Sequence, residues 1–142
     1  MKKVLILCTG NSCRSIIGEA LVNQYLAKEG IQAYSAGSNP GGRVNPNVKK
    51  VLEEEGAWKA RYHSKTIDEV MKEGPFDLVV TVCDNARESC PMFPGGVKTI
   101  HVGFEDPDGK PYEAFVETKE KIKKELLPVI EKELTADITQ KA

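Results

Sequence analysis

Apolar residues along this chain alternate between short unbroken runs and longer stretches with helical spacing. The runs Val4-Leu5-Ile6-Leu7 and Phe76 to Val82 have the length and composition of buried strands. Between them, Ile16, Ile17, Ala20, Leu21 and Tyr25 recur on one side of a predicted helix, and Gly30 is placed to stop it. Ile31 to Ala36 reads as a second strand, and Gly37 to Arg43 as a surface loop. Asn45-Pro46 predicts a helix start, with Asn as cap and Pro in the first turn, followed by Val48, Val51 and Leu52 and a stop at Gly56. Thr66 and Glu69 form a capping box for a short helix whose Ile67, Val70 and Met71 are expected in the core. Val97 to Val102 is a short fourth strand. The last helix is expected from about Tyr112 to Leu134, with Phe115, Ile122, Leu126 and Ile130 on one face. Pro128 should kink or divide it near Leu127, and Thr135 to Ala142 is expected to fray.

Strands that alternate with helices imply a single α/β domain over residues 1–142, with a four-stranded parallel sheet and helices on both faces. Ligands in such sheets bind beyond the carboxyl ends of the strands. Cys8 follows the first strand, Cys83 the third and Asp106 the fourth, so one topological rule brings all three to one rim. The formal charge of −1 gives no reason to expect nucleic acid or an anionic membrane as partner. No apolar run is long enough to span a bilayer, and the first residues lack a signal peptide's pattern, so the expected address is cytoplasmic.

The stretch Cys8-Thr9-Gly10-Asn11-Ser12-Cys13-Arg14-Ser15 occupies the first strand-to-helix turn. Such a turn aims backbone N–H groups and the positive end of a helix at one point, a ready site for a tetrahedral oxyanion. Gly10 lets the loop bend, and the planar fork of Arg14 can hold two oxygens of the same anion. Amides, helix and arginine all favour thiolate at Cys8, which makes it a candidate nucleophile. Ser15 either donates a hydrogen bond to that sulfur or simply begins the helix.

Four cysteines in a chain of this size suggest chemistry more than a disulfide framework. Their spacing does not match a structural zinc site. Cys83 to Cys90, closed by Pro91, reads as a short helix. Seven helical residues rise about 10 Å, whereas a disulfide needs Cα atoms within roughly 7 Å. The two sulfurs can therefore join only if the helix unwinds; the other reading is a pair of inert, half-buried thiols. Cys13 reads as a core side chain.

Taken together, Cys8 to Ser15, Val82-Cys83-Asp84 continuing to Cys90-Pro91, and Gly103-Phe104-Glu105-Asp106-Pro107 with Gly109-Lys110 resemble the thioredoxin-coupled arsenate reductases, which share the low-molecular-weight tyrosine phosphatase fold. The resemblance implies strand order 2-1-3-4 and a monomer. It implies that Thr9, Gly10, Asn11, Ser12, Cys13, Arg14 and Ser15 bind arsenate, with phosphate or sulfate as analogue. It further implies that Cys8 attacks arsenate, that Asp106 protonates the departing oxygen, and that Cys83 and then Cys90 carry the disulfide outward to thioredoxin. In the plainer reading Asp106 is a turn residue before Pro107. No tightly bound cofactor is implied. Some members bind potassium beside the loop, and Asn11, Glu19, Ser35 and Ser64 fall at matching positions, although Thr66 stands where those members have an aspartate. The alternatives are a low-molecular-weight tyrosine phosphatase and a non-catalytic oxyanion sensor switched by its thiols.

Overall fold

Strands Lys2–Cys8 (β1), Ile31–Gly37 (β2), Leu78–Thr81 (β3) and Thr99–His101 (β4) form one parallel sheet in the order β2-β1-β3-β4. The computed structural model describes residues 2–10, 13–38, 43–83 and 96–141, with side chains through Thr135. The order is the expected one, and the hydrophobic pattern explains it. β1 lies between two neighbours and is covered on both faces, which is why Val4, Leu5, Ile6 and Leu7 form an unbroken run with no exposed surface.

Helices Arg14–Tyr25 (α1), Pro46–Glu54 (α2) and Tyr112–Lys141 (α4) pack their apolar residues with Val4, Ile6, Leu78 and Val80 into one cluster. Val70 from the short helix Ile67–Met71 (α3) and Phe76 join Leu5, Leu7 and Val79 in a second cluster. Alternate residues of β1 thus point to opposite layers, as the pleat requires. Gly18 allows the layers to close up: a Cβ there would stand 3.2 Å from both Ile6 Cδ1 and Leu126 Cδ2.

The local signals act as expected at two helix ends. Asn45 Oδ1 accepts from the Asn47 N–H at 2.8 Å with Pro46 in the first turn. Thr66 Oγ1 accepts from the Glu69 N–H at 3.1 Å. Gly30, at φ 77° in the left-handed conformation, ends the 3₁₀ turn Ala27–Glu29, whereas α1, which it was expected to stop, already ends at Tyr25.

Three expectations change. Met71 is 45% exposed rather than core, because α3 is only one turn and a half long and turns Val70 alone fully inward. β3 and β4 are shorter than the apolar runs that announced them; Phe76 and Val82 are buried beyond the ends of β3. α4 passes through Pro128 undivided, and its helical backbone runs to Lys141. Pro128 is exposed, and Leu126, Leu127 and Ile130 on either side of it are buried, so packing holds the helix across the lost backbone bond.

The last turn of α2 and α4 are joined by a charged cluster. Glu55 accepts from Lys119 Nζ at 2.8 Å, from Lys123 Nζ at 2.9 Å and from the Tyr25 hydroxyl. Burial would raise the Glu55 carboxyl, but the hydrogen bonds from Lys119, Tyr25 and Lys123 outweigh it and hold the group at about 2. A carboxyl held below its ordinary 4.5 contributes stability that is complete above that value and is lost as pH falls through about 2. Denaturant midpoints of the wild type and Glu55→Gln should therefore differ at neutral pH and converge across this acidic window. A gap that stayed constant from neutral pH to about 2 would refute this assignment.

Candidate active site

The carboxyl end of β1 carries Cys8, whose backbone pairs with Gly37 of β2. α1 begins six residues later at Arg14, with Cys13 as the residue before its first turn. Strand, turn and helix are thus contiguous, and the helix aims its positive end at the turn. Cys8 is 1% exposed, and its Sγ lies 2.9 Å from Ser15 Oγ. Of the two readings of Ser15, the geometry supports the contact with sulfur; Ser15 is also inside α1, one residue past its start, so it is not the cap.

Arg14 is 2% exposed and is held by its neighbours. Its Nη1 donates to the Phe104 carbonyl at 3.1 Å, and its Nη2 lies 3.6 Å from Asp106 Oδ2. The Gly103 to Pro107 segment therefore closes over the turn by gripping the arginine. Asp106 keeps half its side chain in solvent, and its Oδ1 accepts from the Asp108 N–H at 3.0 Å. An acid placed this way faces both the arginine fork and water.

Cys83 reaches the same rim from the adjacent strand. Leu7 of β1 is in register with Thr81 of β3, so Cys8 and Cys83 follow that pair by one and two residues on strands ~4.8 Å apart. The Val82 N–H donates to the Leu7 carbonyl at 2.9 Å, which extends the pairing to the residue before Cys83. Cys83 has no exposed surface and is disulfide-bonded; Cys8 and Cys13 are thiols. Gly103 presses on this end of β3, since a Cβ there would lie 3.0 Å from the Cys83 carbonyl and 2.8 Å from His101 Nε2. His101 itself is fixed by Thr81 Oγ1 at 2.7 Å from its Nδ1. Cys13 is 3% exposed within the core, as read from the sequence. Thr9 and Gly10 are half-buried on the turn. Asn11, Ser12 and Cys90 lie outside the described residues, as does all of the expected short helix from Cys83 to Cys90 except Cys83 itself.

Beneath the turn, Ser35 Oγ donates to Glu19 Oε1 at 2.6 Å. Ser64 Oγ donates to the Gly10 carbonyl at 3.4 Å. Of the four positions that match a potassium site, Asn11 lies outside the described residues, and Glu19, Ser35 and Ser64 do not fit one. Lys65 Nζ lies 3.5 Å from Glu19 Oε1 and donates to Ser35 Oγ at 3.4 Å and to the His63 carbonyl at 2.8 Å. An ammonium thus already sits against the oxygens an alkali cation would need, and a second cation beside it would meet like-charge repulsion. Burial pushes the Glu19 carboxyl up, opposed by Lys65 and the Ser35 hydroxyl. Sequence reasoning passed over Lys65, although its position between Ser64 and Thr66, both already singled out, was the available signal.

The profile of the family described as low molecular weight phosphotyrosine protein phosphatase matches residues 3–140. An arsenate reductase of Staphylococcus aureus is 40% identical over 123 residues, 86% of this chain and 91% of that protein. The crystal structure of arsenate reductase from Archaeoglobus fulgidus superposes with a TM-score of 0.66 at 35% identity, covering 85% of this chain and 96% of the other. A thioredoxin-dependent arsenate reductase from Corynebacterium glutamicum superposes with a TM-score of 0.61 at 28% identity, covering 87% of this chain and 59% of that one. Among the described residues, no helix is long and apolar enough to cross a membrane.

Proposed function

Because the chain belongs to the low molecular weight phosphotyrosine protein phosphatase family, and its relatives include arsenate reductases, we propose that it reduces arsenate to arsenite in the cytoplasm, as a monomer that draws its electrons from thioredoxin. The observation that carries this reading is the juxtaposition of a buried thiol, an arginine fork and a second redox-capable cysteine at one end of adjacent strands. Loop, arginine and acid suffice for phosphoester chemistry; the second cysteine adds what a reductase needs.

In this mechanism the amides of Thr9 to Ser15 and the Arg14 guanidinium hold the oxyanion, and phosphate or sulfate can occupy the same cradle. The Cys8 sulfur forms a bond to arsenic while one arsenate oxygen leaves as water, its proton supplied by Asp106. Ser15 Oγ, 2.9 Å from the sulfur, steadies negative charge there before attack. Cys83 then attacks the Cys8 sulfur. A Cys8–Cys83 disulfide forms, the sulfur–arsenic bond breaks with its electron pair left on arsenic, and As(V) departs as As(III). Cys90 attacks Cys83, returning Cys8 to the thiol and leaving a Cys83–Cys90 disulfide, which thioredoxin reduces by dithiol exchange. That Cys83 is disulfide-bonded supports a redox role for it in this sequence. No organic cofactor enters the sequence.

The test is disulfide mapping by mass spectrometry after a single turnover with arsenate and no reductant. The expected product is a Cys83–Cys90 bond, alkylatable Cys8 and one equivalent of arsenite. Arsenate-dependent NADPH consumption with thioredoxin and thioredoxin reductase should follow. If that consumption is undetectable while aryl phosphate hydrolysis is strong, the reductase reading fails and the phosphatase one replaces it. Stoichiometric thiol oxidation without turnover would indicate a sensor instead.

A further inference from the structure

We propose that Lys65 is the resident counter-ion of the oxyanion turn: its ammonium, fixed by Glu19, Ser35 and the His63 carbonyl, takes the place of a diffusible alkali cation and positions the turn for oxyanion binding.

The pair is built into the protein. The Lys65 and Glu19 side chains are 9% and 6% exposed, and their charged ends are 3.5 Å apart. Burial at this level is costly for either charge alone, so the two are retained together with the hydroxyl and carbonyl that complete their hydrogen bonding. Three elements meet there: Glu19 is on α1, Ser35 on β2, and Lys65 on the segment leading into α3.

Each of those elements touches the turn. Glu19 is four residues after Ser15, one helical turn from the hydroxyl that contacts Cys8. The Lys65 carbonyl accepts from the Gly37 N–H at 2.9 Å, and the next residue, Ser38, donates its N–H to the Cys8 carbonyl at 3.4 Å. Ser64, adjacent to Lys65, reaches the Gly10 carbonyl. Lys65 thus ties together the three segments on which the cradle rests, without touching the oxyanion. It is a positioning residue. The tethered ammonium faces the Glu19 carboxylate, and the hydroxyl of the next residue, Thr66, is engaged in capping α3. A cleft of about 430 Å³, lined by Glu19, Tyr34, Arg61, His63 and Lys65 among others, leads from solvent to the pair. Small cations can therefore enter if the ammonium is removed.

The test compares the wild type with Lys65→Ala in KCl, methylammonium chloride and choline chloride at equal ionic strength. The wild type is expected to have the same Tm in all three. Lys65→Ala should lose about 6 °C or more, because it removes the ammonium paired with a buried carboxylate. Potassium or methylammonium should restore part of that loss, and choline, too large for the site, should not. The turnover arm rests on the reductase reading: arsenate KM should rise about tenfold in Lys65→Ala with kcat within about twofold, and potassium should bring KM back. Protection of Cys8 from iodoacetamide by inorganic phosphate measures oxyanion affinity without that reading, so a protein inactive on arsenate still tests the proposal.

A wild-type Tm that rises saturably with potassium would overturn it. So would a Lys65→Ala variant with unchanged Tm and phosphate protection, or one weakened equally in all three salts. Should Lys65→Ala not fold, the double variant Glu19→Gln/Lys65→Met removes both charges and should fold. It is expected to need about tenfold more phosphate to protect Cys8, with no response to potassium. Wild-type protection in that variant would refute the positioning role.

Discussion

Cys8→Ser is expected to lower both arsenate reduction and aryl phosphate hydrolysis by about 10⁴-fold or more, whereas Cys83→Ser should abolish only the first. The difference follows from where the two sulfurs stand. Cys8 ends β1 with Ser15 Oγ 2.9 Å from its sulfur, and under the proposed mechanism any reaction that begins with attack on the oxyanion needs it. Cys83 is one strand away, past the end of β3, and under the proposed mechanism it acts only after the first covalent bond exists. Removing it leaves cradle, nucleophile and acid in place, so aryl phosphate hydrolysis should stay within about threefold of wild type, a change below 1 kcal/mol. Steady-state assays of both activities on both variants, with circular dichroism to confirm folding, decide the matter. Cys83→Ser enzyme that still turned over arsenate with thioredoxin would break the proposed cascade. Equal loss of both activities in that variant would mean that Cys83 is structural.

Arg14→Lys is the second large effect. Arginine presents a planar fork, and here Nη1 is anchored by the Phe104 carbonyl at 3.1 Å while Nη2 stands 3.6 Å from Asp106. A lysine preserves the charge but has a single point of donation, so it can hold neither the Phe104 carbonyl and the acid together nor two oxygens of an anion. Loss of one such oxyanion contact costs about 10²–10³ in rate. Both activities should fall by that factor in Arg14→Lys and further in Arg14→Ala, read as kcat/KM for arsenate and for an aryl phosphate. Activity within about tenfold of wild type would mean that the turn amides alone bind the anion. The Arg14–Asp106 pair itself should add little stability, since half of the Asp106 side chain is in water.

The potassium expectation shows where matching residues one by one falls short. The match names Glu19, Ser35 and Ser64; Glu19 and Ser35 are hydrogen-bonded to each other, and Ser64 reaches the Gly10 carbonyl. What it could not convey is that Lys65, between two matched positions, folds its side chain back against Glu19 and Ser35. A lysine in a polar segment ordinarily reads as a solvated charge, and only the closure of β2 over α1 makes it a buried one. Met71 errs the other way. Its place in an apolar helical pattern suggested core, and the short helix leaves it 45% exposed.

By itself the sequence determined the alternation of strands and helices, the parallel sheet it implies, the turn between β1 and α1, and the caps at Asn45 and Thr66, because these rest on patterns that run along the chain. Hydrophobic periodicity and capping chemistry are local, and local rules can be read along a line. Only the tertiary structure decided that Arg14 is gripped by the Phe104 carbonyl 90 residues away, that Lys65 closes on Glu19, and that Leu126 and Ile130 carry α4 past Pro128. Those contacts join residues far apart in the chain, and their energies come from burial and from the pairing of groups that burial strips of water.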